Sequence, residues 1–391
     1  MSSDVGAPFS GLRVLELGHI VAGPTASLIF ADLGADVIKI ERPGSGDQAR
    51  LNEGNQGHFL AYNSNKRSVA VDLKSKRGVN AFRRLLATAD IVVDNFAPGA
   101  LERLDLGYDE MARINPRIIH CALKGFLPGP YGDRPLTDEP AQMMGGLAYM
   151  TGPQGRPLRA GTSVVDLTAA LFAAIAIQTA LYERQQTGRG KQVKVGLFES
   201  AVFLVSQHIA RSGLSGEAPI PMPERGMGRH LGWAIYRIFQ VKEDRQVFVG
   251  VLSDAQWERF CSEFVLTDLW QEKELRTNQG RIRHLDRLND RSEQLFASLT
   301  FEEAVERLER AALPFAPVNT PMDLFDHPHL LGRSHMKTVS MPDGMSSPVP
   351  DLPITYGEWA GSTRENPPSL GEHTAEVLAE IGYSTEEIAE F

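Results

Sequence analysis

Apolar and polar positions along the first third of the chain follow two alternating periods. Short apolar runs of strand length fall at residues 12–17, 35–40, 68–73, 90–94 and 117–123. Runs this short and this continuous suit strands buried on both faces of a sheet. Between them, residues 25–33, 76–89 and parts of 100–115 read as helix, and a longer Ala-rich helix is expected over residues 167–184, followed by a strand at 192–197. Gly18 and Gly23 bracket the first loop, GHIVAGP, and Pro24 stands where a helix can begin without losing a backbone bond. Gly34 supplies a left-handed stop before the next strand. Strand and helix in strict alternation predict a doubly wound α/β domain, whose ligands dock at the carboxyl ends of the parallel strands.

The pattern changes after residue 211. Residues 212–232 (SGLSGEAPIPMPERGMGRHLG) are rich in Gly and Pro and read as a linker with a mobile, glycine-containing loop. A hairpin follows, with strands at 236–240 and 246–251 and a polar turn between, then helices at 254–264, 285–299 and 301–311. Residues 233–313 therefore form a second, smaller α+β domain. A Pro-rich linker at 314–328 leaves it, a second Pro-rich passage spans 341–353, and a last helix lies near 374–381. A length of 391 residues is what two domains require.

Composition narrows the partners. The chain is 42% hydrophobic and 23% charged, the proportions of a soluble globular protein. A formal net charge of −9 argues against nucleic acid and against an anionic membrane surface. Lys66, Arg67, Lys76 and Arg77 form a basic cluster expected to face solvent. The opening MSSDVGAPFSG has no apolar core, so no signal peptide is expected, and the longest apolar stretch, residues 167–182, is read as too short to span a bilayer. Cys121 and Cys261 are the two cysteines, without metal-ligand spacing, which fits a reducing cytoplasm and no metal.

A βαβ unit with glycines in its first turn suggests a dinucleotide site, and Glu41 could imitate the acid that holds a ribose. The fingerprint is absent, however: Gly18 and Gly23 are five positions apart with four side chains between them. The segments GLRVLELGHIVAGPTAS, ADLGADVIKIERPGSGD, YNSNKRSVAVDLK, VVDNFAPGALERL and TGRGKQVKVGLFES together resemble the class III CoA-transferase family, the formyl-CoA and carnitine-CoA transferase group. The likeness extends to the late segment LGEHTAEVL and so covers nearly the whole chain.

Asp166 follows an apolar Val-Val pair at the start of the long Ala-rich helix. Its residues allow two readings: a helix cap accepting backbone N–H groups, or a nucleophile attacking a thioester. The resemblance implies the second, because this Asp stands at the family's catalytic position. It implies CoA thioester as substrate, with no cofactor held permanently, and contacts to CoA from Val21, Ala22, Arg42, Val71, Asp72, Leu73, Lys74, Asn95, Phe96, Ala97 and Arg103. Guanidinium groups suit the CoA phosphates because they offer paired donors in a plane. Read singly, each Arg could equally be a solvated charge, and Val71 and Leu73 could be core.

The resemblance further implies a Rossmann-like large domain made of residues 1–211 and 329–391, and two chains threaded through each other as an interlocked homodimer. Val21 replaces the Gln of formyl-CoA transferases, and GMGRHLG replaces their run of four glycines. That points away from formate and oxalate, toward a small dicarboxylic acid of the itaconate, mesaconate or citramalate kind with succinyl-CoA as donor. Gly228 is one of the glycines that permit this loop to move, and Arg229 with His230 could meet the second carboxylate or simply be polar linker residues. Two alternatives stay open: an α-methylacyl-CoA racemase, whose His would be replaced here by Thr137, and a non-catalytic CoA- or nucleotide-binding protein.

Overall fold

The computed structural model describes residues 6–51, 56–221, 232–332, 335–357 and 366–391. Two compact units divide the chain: Met1–Ala148, Arg159–Ala210 and Pro328–Phe391 form the first, and Tyr149–Leu158 with Arg211–His327 form the second.

In the first unit, β1 (Arg13–Leu17), β2 (Asp36–Glu41), β3 (Lys66–Ala70), β4 (Ile91–Asp94), β5 (Ile119–Lys124) and β6 (Gln192–Gly196) form one sheet. All neighbouring pairs are parallel and the order is β3–β2–β1–β4–β5–β6. The order reverses between β1 and β4, and a doubly wound sheet opens its ligand crevice at that point. Up to residue 204 the helices, in chain order, are α1 (Ala22–Asp32), α2 (Gln56–Tyr62), α3 (Lys76–Thr88), α4 (Tyr108–Ile114), α5 (Asp138–Met144), α6 (Leu147–Thr151), α7 (Val164–Thr187) and α8 (Leu197–Leu204). Helices α2, α4, α5, α6 and α8 have eight residues or fewer, few turns for periodicity to mark, and of the five only α4 falls in a stretch read as helix.

Three elements differ from the sequence expectation for identifiable reasons. Helix α1 starts at Ala22, which puts Pro24 in its first turn, where the missing N–H would have no intrahelical partner anyway. Strand β3 begins at Lys66, because that lysine is fully buried in an ion cluster and does not face solvent. Helix α7 runs 24 residues, longer than expected at both ends; buried Arg184 donates to Asp90 Oδ1 (2.9 Å) and the Arg117 carbonyl (3.0 Å), and Gly188 at φ 69° ends the helix. By length and composition alone such a helix could cross a membrane, so the length argument against a span fails. What the structure shows is a buried face of small residues, Ala169, Ala170, Ala173 and Ala174 among them, packed into the core with Val14, Phe30 and Cys121.

The carboxyl-terminal segment belongs to the first unit. Helix Thr374–Glu380 lies beside β3: the Ser68 N–H donates to His373 Nδ1 (3.2 Å), and Gly371 donates to Ser68 Oγ (2.8 Å). Arg67 pairs with Asp36 (2.7 Å) and Glu380 (2.6 Å), so it too is a structural cation. The second Pro-rich passage forms a ribbon, β10 (Met336–Ser340) with β11 (Ser346–Pro350). Pro348 and Pro350 are two apart, so the donors they lack fall on one side, and in a two-stranded ribbon one side is always unpaired.

The second unit is built on β7 (Ile235–Gln240), β8 (Gln246–Val251) and the short edge strand β9 (Phe315–Pro317), antiparallel in that order. Strand β9 lies inside the first Pro-rich linker; an edge position tolerates its one proline, Pro317. Helices at Asp254–Glu263, Leu285–Ala297 and Phe301–Arg310 pack Trp257, Phe260, Phe296 and Leu308 into this unit's own core.

Beneath the first loop of the first unit lies a cluster of buried charges. Lys39 Nζ pairs with Glu16 (2.6 Å) and Asp47 (2.8 Å) and donates to the Gly18 carbonyl (2.9 Å). Lys66 Nζ pairs with the other Glu16 oxygen (2.7 Å) and donates to the Pro24 carbonyl (2.9 Å). Burial pushes Glu16 upward, but the charges of Lys39 and Lys66 outweigh it and hold its carboxyl below the usual range. Burial pushes Lys66 down to about 8, against the upward pull of Glu16. Replacing Glu16 by Gln leaves two buried ammonium groups short of a counter-charge. The expected loss is about 3–5 kcal/mol, measurable as a lowered urea midpoint; an unchanged midpoint would show the cluster to be energetically idle.

Candidate active site

The first loop is fixed from three sides. Asn95, just past β4, donates to the His19 carbonyl and accepts from the His19 N–H, both at 2.9 Å. Asp47 accepts from the Ile20 N–H (3.0 Å), and Ile20 takes φ 64°, a conformation that this bond and the flanking contacts impose. A Cβ on Gly23 would lie 2.9 Å from the Gly18 Cα, so the loop can close on the start of α1 only with glycine there. The Phe96 ring stacks on His19 with centroids 5.4 Å apart. These contacts join the carboxyl ends of β1 and β4 at the switch point of the sheet.

A cleft of about 600 Å³ opens at this junction. It brings together Val21, Ala22, Asn95, Phe96, Ala97 and Asp166, six residues singled out from the sequence. Val21 and Ala22 are buried where α1 begins. Arg42, Val71, Asp72, Leu73, Lys74 and Arg103 do not line it. Arg42 is exposed directly after β2; Val71 to Lys74 form the loop after β3, with Val71 buried, Leu73 half-buried and Asp72 and Lys74 exposed. Arg103 is exposed in a short turn after β4, with its guanidinium 3.5 Å from the Pro98 carbonyl. All six still lie along the same carboxyl edge of the sheet. Gly228, Arg229 and His230 lie outside the described residues.

Asp166 is half-buried in the first turn of α7. It is not the cap of that helix. The cap position is Ser163, whose side chain makes no capping bond; the capping oxygen comes from Asp138, at the start of α5. Asp138 Oδ2 accepts from the N–H groups of Val165 (2.8 Å) and Asp166 (3.1 Å). Its other oxygen accepts from Gln142, whose own oxygen takes the Ala160 N–H (2.7 Å). Burial, then the charges of Asp138 and Glu139, push the Asp166 carboxyl up to about 7. Tyr62 on α2 senses the same charge: burial first and Asp166 second raise its phenol.

Several residues of the cleft escaped sequence reading: His19, Gln48, His58, Lys124 and Asp138. Lys124 closes β5, where its ammonium pairs with Asp94 and donates to the Phe96 carbonyl (2.8 Å). Asp94 also meets His120 Nε2 at 2.6 Å, and the hydrogen bond from His120 together with the charge of Lys124 overcomes burial to hold its carboxyl low. For Lys124 a signal existed, since it directly follows the strand expected at 117–123, on the ligand edge. For Asp138 the signal was weak: its acid pair precedes a proline, as at many helix starts, but nothing local ties it to α7. Among the described residues, no group of three or more His, Cys, Asp or Glu side chains could hold a metal.

A crevice at the switch point of a doubly wound sheet, with a half-buried carboxylate on its wall, defines an α/β protein with a ligand cleft at its carboxyl edge. Residues 9–374 match CoA-transferase family III, and the chain belongs to that family. It is 35% identical to an acyl-CoA transferase of Fusarium pseudograminearum, covering 100% of this chain and 88% of that one. It is 32% identical to the succinyl-CoA:glutarate CoA-transferase of Mus musculus, over 96% and 86% of the two chains. Among solved structures, a CaiB/BaiF family protein from Brucella suis superposes with a TM-score of 0.87 at 30% identity, covering 96% of this chain and 99% of that one. The protein is thus a class III CoA-transferase acting on CoA thioesters.

The double bond between Asn95 and His19 carries a direct test. Asn95→Ala removes both partners of one backbone unit and should cost about 1–3 kcal/mol locally. Hydrogen exchange at residues 18–22 should accelerate at least tenfold while the rest of the sheet stays protected; unchanged protection would show that the loop is held without this clamp.

Proposed function

We propose that this transferase moves CoA from succinyl-CoA to a small dicarboxylic acid, with Asp166 as the covalent carrier. The observation that carries the reading is Asp166 itself: a carboxylate on the wall of the switch-point cleft, half-buried, with its ionisation raised to about 7. A carboxylate poorly stabilised by its surroundings is a stronger nucleophile. The name of the mouse relative, a succinyl-CoA:glutarate CoA-transferase, supports a dicarboxylic acceptor. The Val21 side chain in the first loop offers no donor to a very small oxygen-rich acid such as oxalate.

An Asp166 oxygen attacks the donor thioester carbonyl; the C–S bond breaks, and CoA leaves as thiolate from a mixed anhydride. The thiolate attacks the aspartyl carbonyl and expels the donor acid, leaving an aspartyl-CoA thioester. The acceptor carboxylate attacks that thioester, freeing the thiolate and forming a second anhydride. The thiolate then attacks the acceptor-derived carbonyl, and the new acyl-CoA departs with Asp166 again a carboxylate. One thioester is made for each one broken, and one acceptor oxygen remains on Asp166. Each acylated form is water-sensitive, so the cleft must exclude water during turnover.

CoA would lie along the carboxyl edge, with Asn95, Phe96 and Ala97 near the reacting end and Arg42, Arg103 and the 71–74 loop toward its phosphates and adenosine. Thr137, on the cleft wall, has no group that could take a proton from an α-carbon, which weighs against a racemase. We also propose a homodimer. Leu171, Ile175 and Tyr182 share one exposed face of α7, with Phe203 of α8 exposed as well, and an apolar surface of this kind is normally covered by another chain.

Asp166→Asn should abolish succinyl exchange, and borohydride trapping after succinyl-CoA should label Asp166 in the wild type alone; a variant with wild-type velocity would end the proposal. Because only the carboxylate attacks, kcat/KM should fall about tenfold per pH unit below a break near 7. A profile flat down to pH 5 would contradict the assignment. Sedimentation should give twice the chain mass, reduced to one chain by Leu171→Glu with Ile175→Glu.

A further inference from the structure

We propose that Asp138 is a positioning residue that sets the reactivity of Asp166: it withdraws the helix-terminal N–H groups that would stabilise the Asp166 carboxylate and puts a second negative charge beside it. The inference rests on the nucleophilic reading of Asp166 given above.

The free N–H groups at the start of a 24-residue helix normally favour a nearby anion. Here those of Val165 and Asp166 both point to Asp138 Oδ2. Asp138 is only 4% exposed and is held in place by Gln142, which is itself tied to the Ala160 N–H. Its three contacts all use it as an acceptor, the role of an ionised carboxylate. The helix end is thus saturated by a fixed anion, and the Asp166 carboxylate gains little from it.

The other groups facing Asp166 do not reverse this. Glu139, also on α5, adds negative charge, tempered by its pair with Arg159. Lys124 on β5 is engaged by Asp94 and the Phe96 carbonyl. The phenol of Tyr62 on α2 is raised by burial and by Asp166, and His19, which lies against Asp47, and His58 also line the cleft. The raised ionisation of Asp166 agrees with the geometry.

The consequence reaches into catalysis. When Asp166 is acylated its charge vanishes, and the repulsion from Asp138 vanishes with it. Asp138 therefore disfavours the free carboxylate relative to both the anhydride and the thioester, and it draws the carrier toward acylation.

The test follows Asp166 directly. In the full chain with carboxyl-labelled aspartate, the infrared band lost in Asp166→Asn reports the ionisation of Asp166 without any turnover. Asp138→Asn keeps an oxygen for the two N–H groups and removes the charge. The expected result is a titration midpoint lower by about one pH unit or more, with the acid limb of kcat/KM moving equally and the plateau rate reduced. Asp138→Ser, a second neutral cap, should move the midpoint the same way and serves if the Asn variant misfolds; Asp138→Glu should restore it toward wild type. A midpoint unchanged in the neutral variants overturns the inference while leaving the Asp166→Asn result intact. Full exchange activity in Asp166→Asn overturns the nucleophile and leaves the titration comparison standing.

Discussion

Four charges with no access to water hold the first loop where a ligand can use it. Glu16 and Lys39 come from the middle of adjacent strands, Lys66 from the start of the next, and Asp47 from the loop after β2. Unpaired, any one of them would be prohibitively costly in the interior. Paired, they spend their spare hydrogen-bonding capacity on the backbone: Lys39 on Gly18, Lys66 on Pro24, Asp47 on Ile20. The loop is therefore clamped from below by ions and from the side by Asn95. The cleft wall is rigid because moving it would strip partners from buried charges.

The same logic, inverted, operates at Asp166. The cluster beneath the loop satisfies every charge; the wall across the cleft leaves one carboxylate under-satisfied. Asp138 takes the helix-terminal donors, and Lys124, which also lines the cleft, is committed to Asp94. The charged groups that act on Asp166 are Asp138 and Glu139, both acids, and burial adds to their effect. For a group proposed to alternate between free carboxylate and acyl carrier, a poorly stabilised free form would be useful, because each acylation would relieve the stress.

Regular elements with a strong pattern were readable from residue types. The runs at 12–17 and 35–40 became β1 and β2 with little shift, and the hairpin β7–β8 lies within a residue of its expectation. Failures cluster where a residue's usual meaning was overridden by tertiary context. Lys66 looked like a solvated cation and is a buried one, so β3 started early. Prolines looked like linker and instead sit at sheet edges in β9 and β11. Short helices such as α2 and α5 carry too few turns to announce themselves, yet they supply Tyr62, His58 and Asp138. The resemblance singled out Asp166, Asn95 and Phe96, which line one cleft, whereas the electrostatic partner of Asp166 lay 28 positions upstream with no motif joining the two.

The sequence by itself determined the alternation of strand and helix, the glycine-bounded first loop, the position of the acidic residue at the head of a long Ala-rich helix and membership in a transferase family. These are local properties, set by side-chain periodicity and backbone preference over a few residues. Tertiary structure alone decided which charges are buried, which carboxylate caps α7 and which edge residues share a cleft. Burial and electrostatic energy depend on distances between segments far apart in the chain, and folding sets those distances all at once.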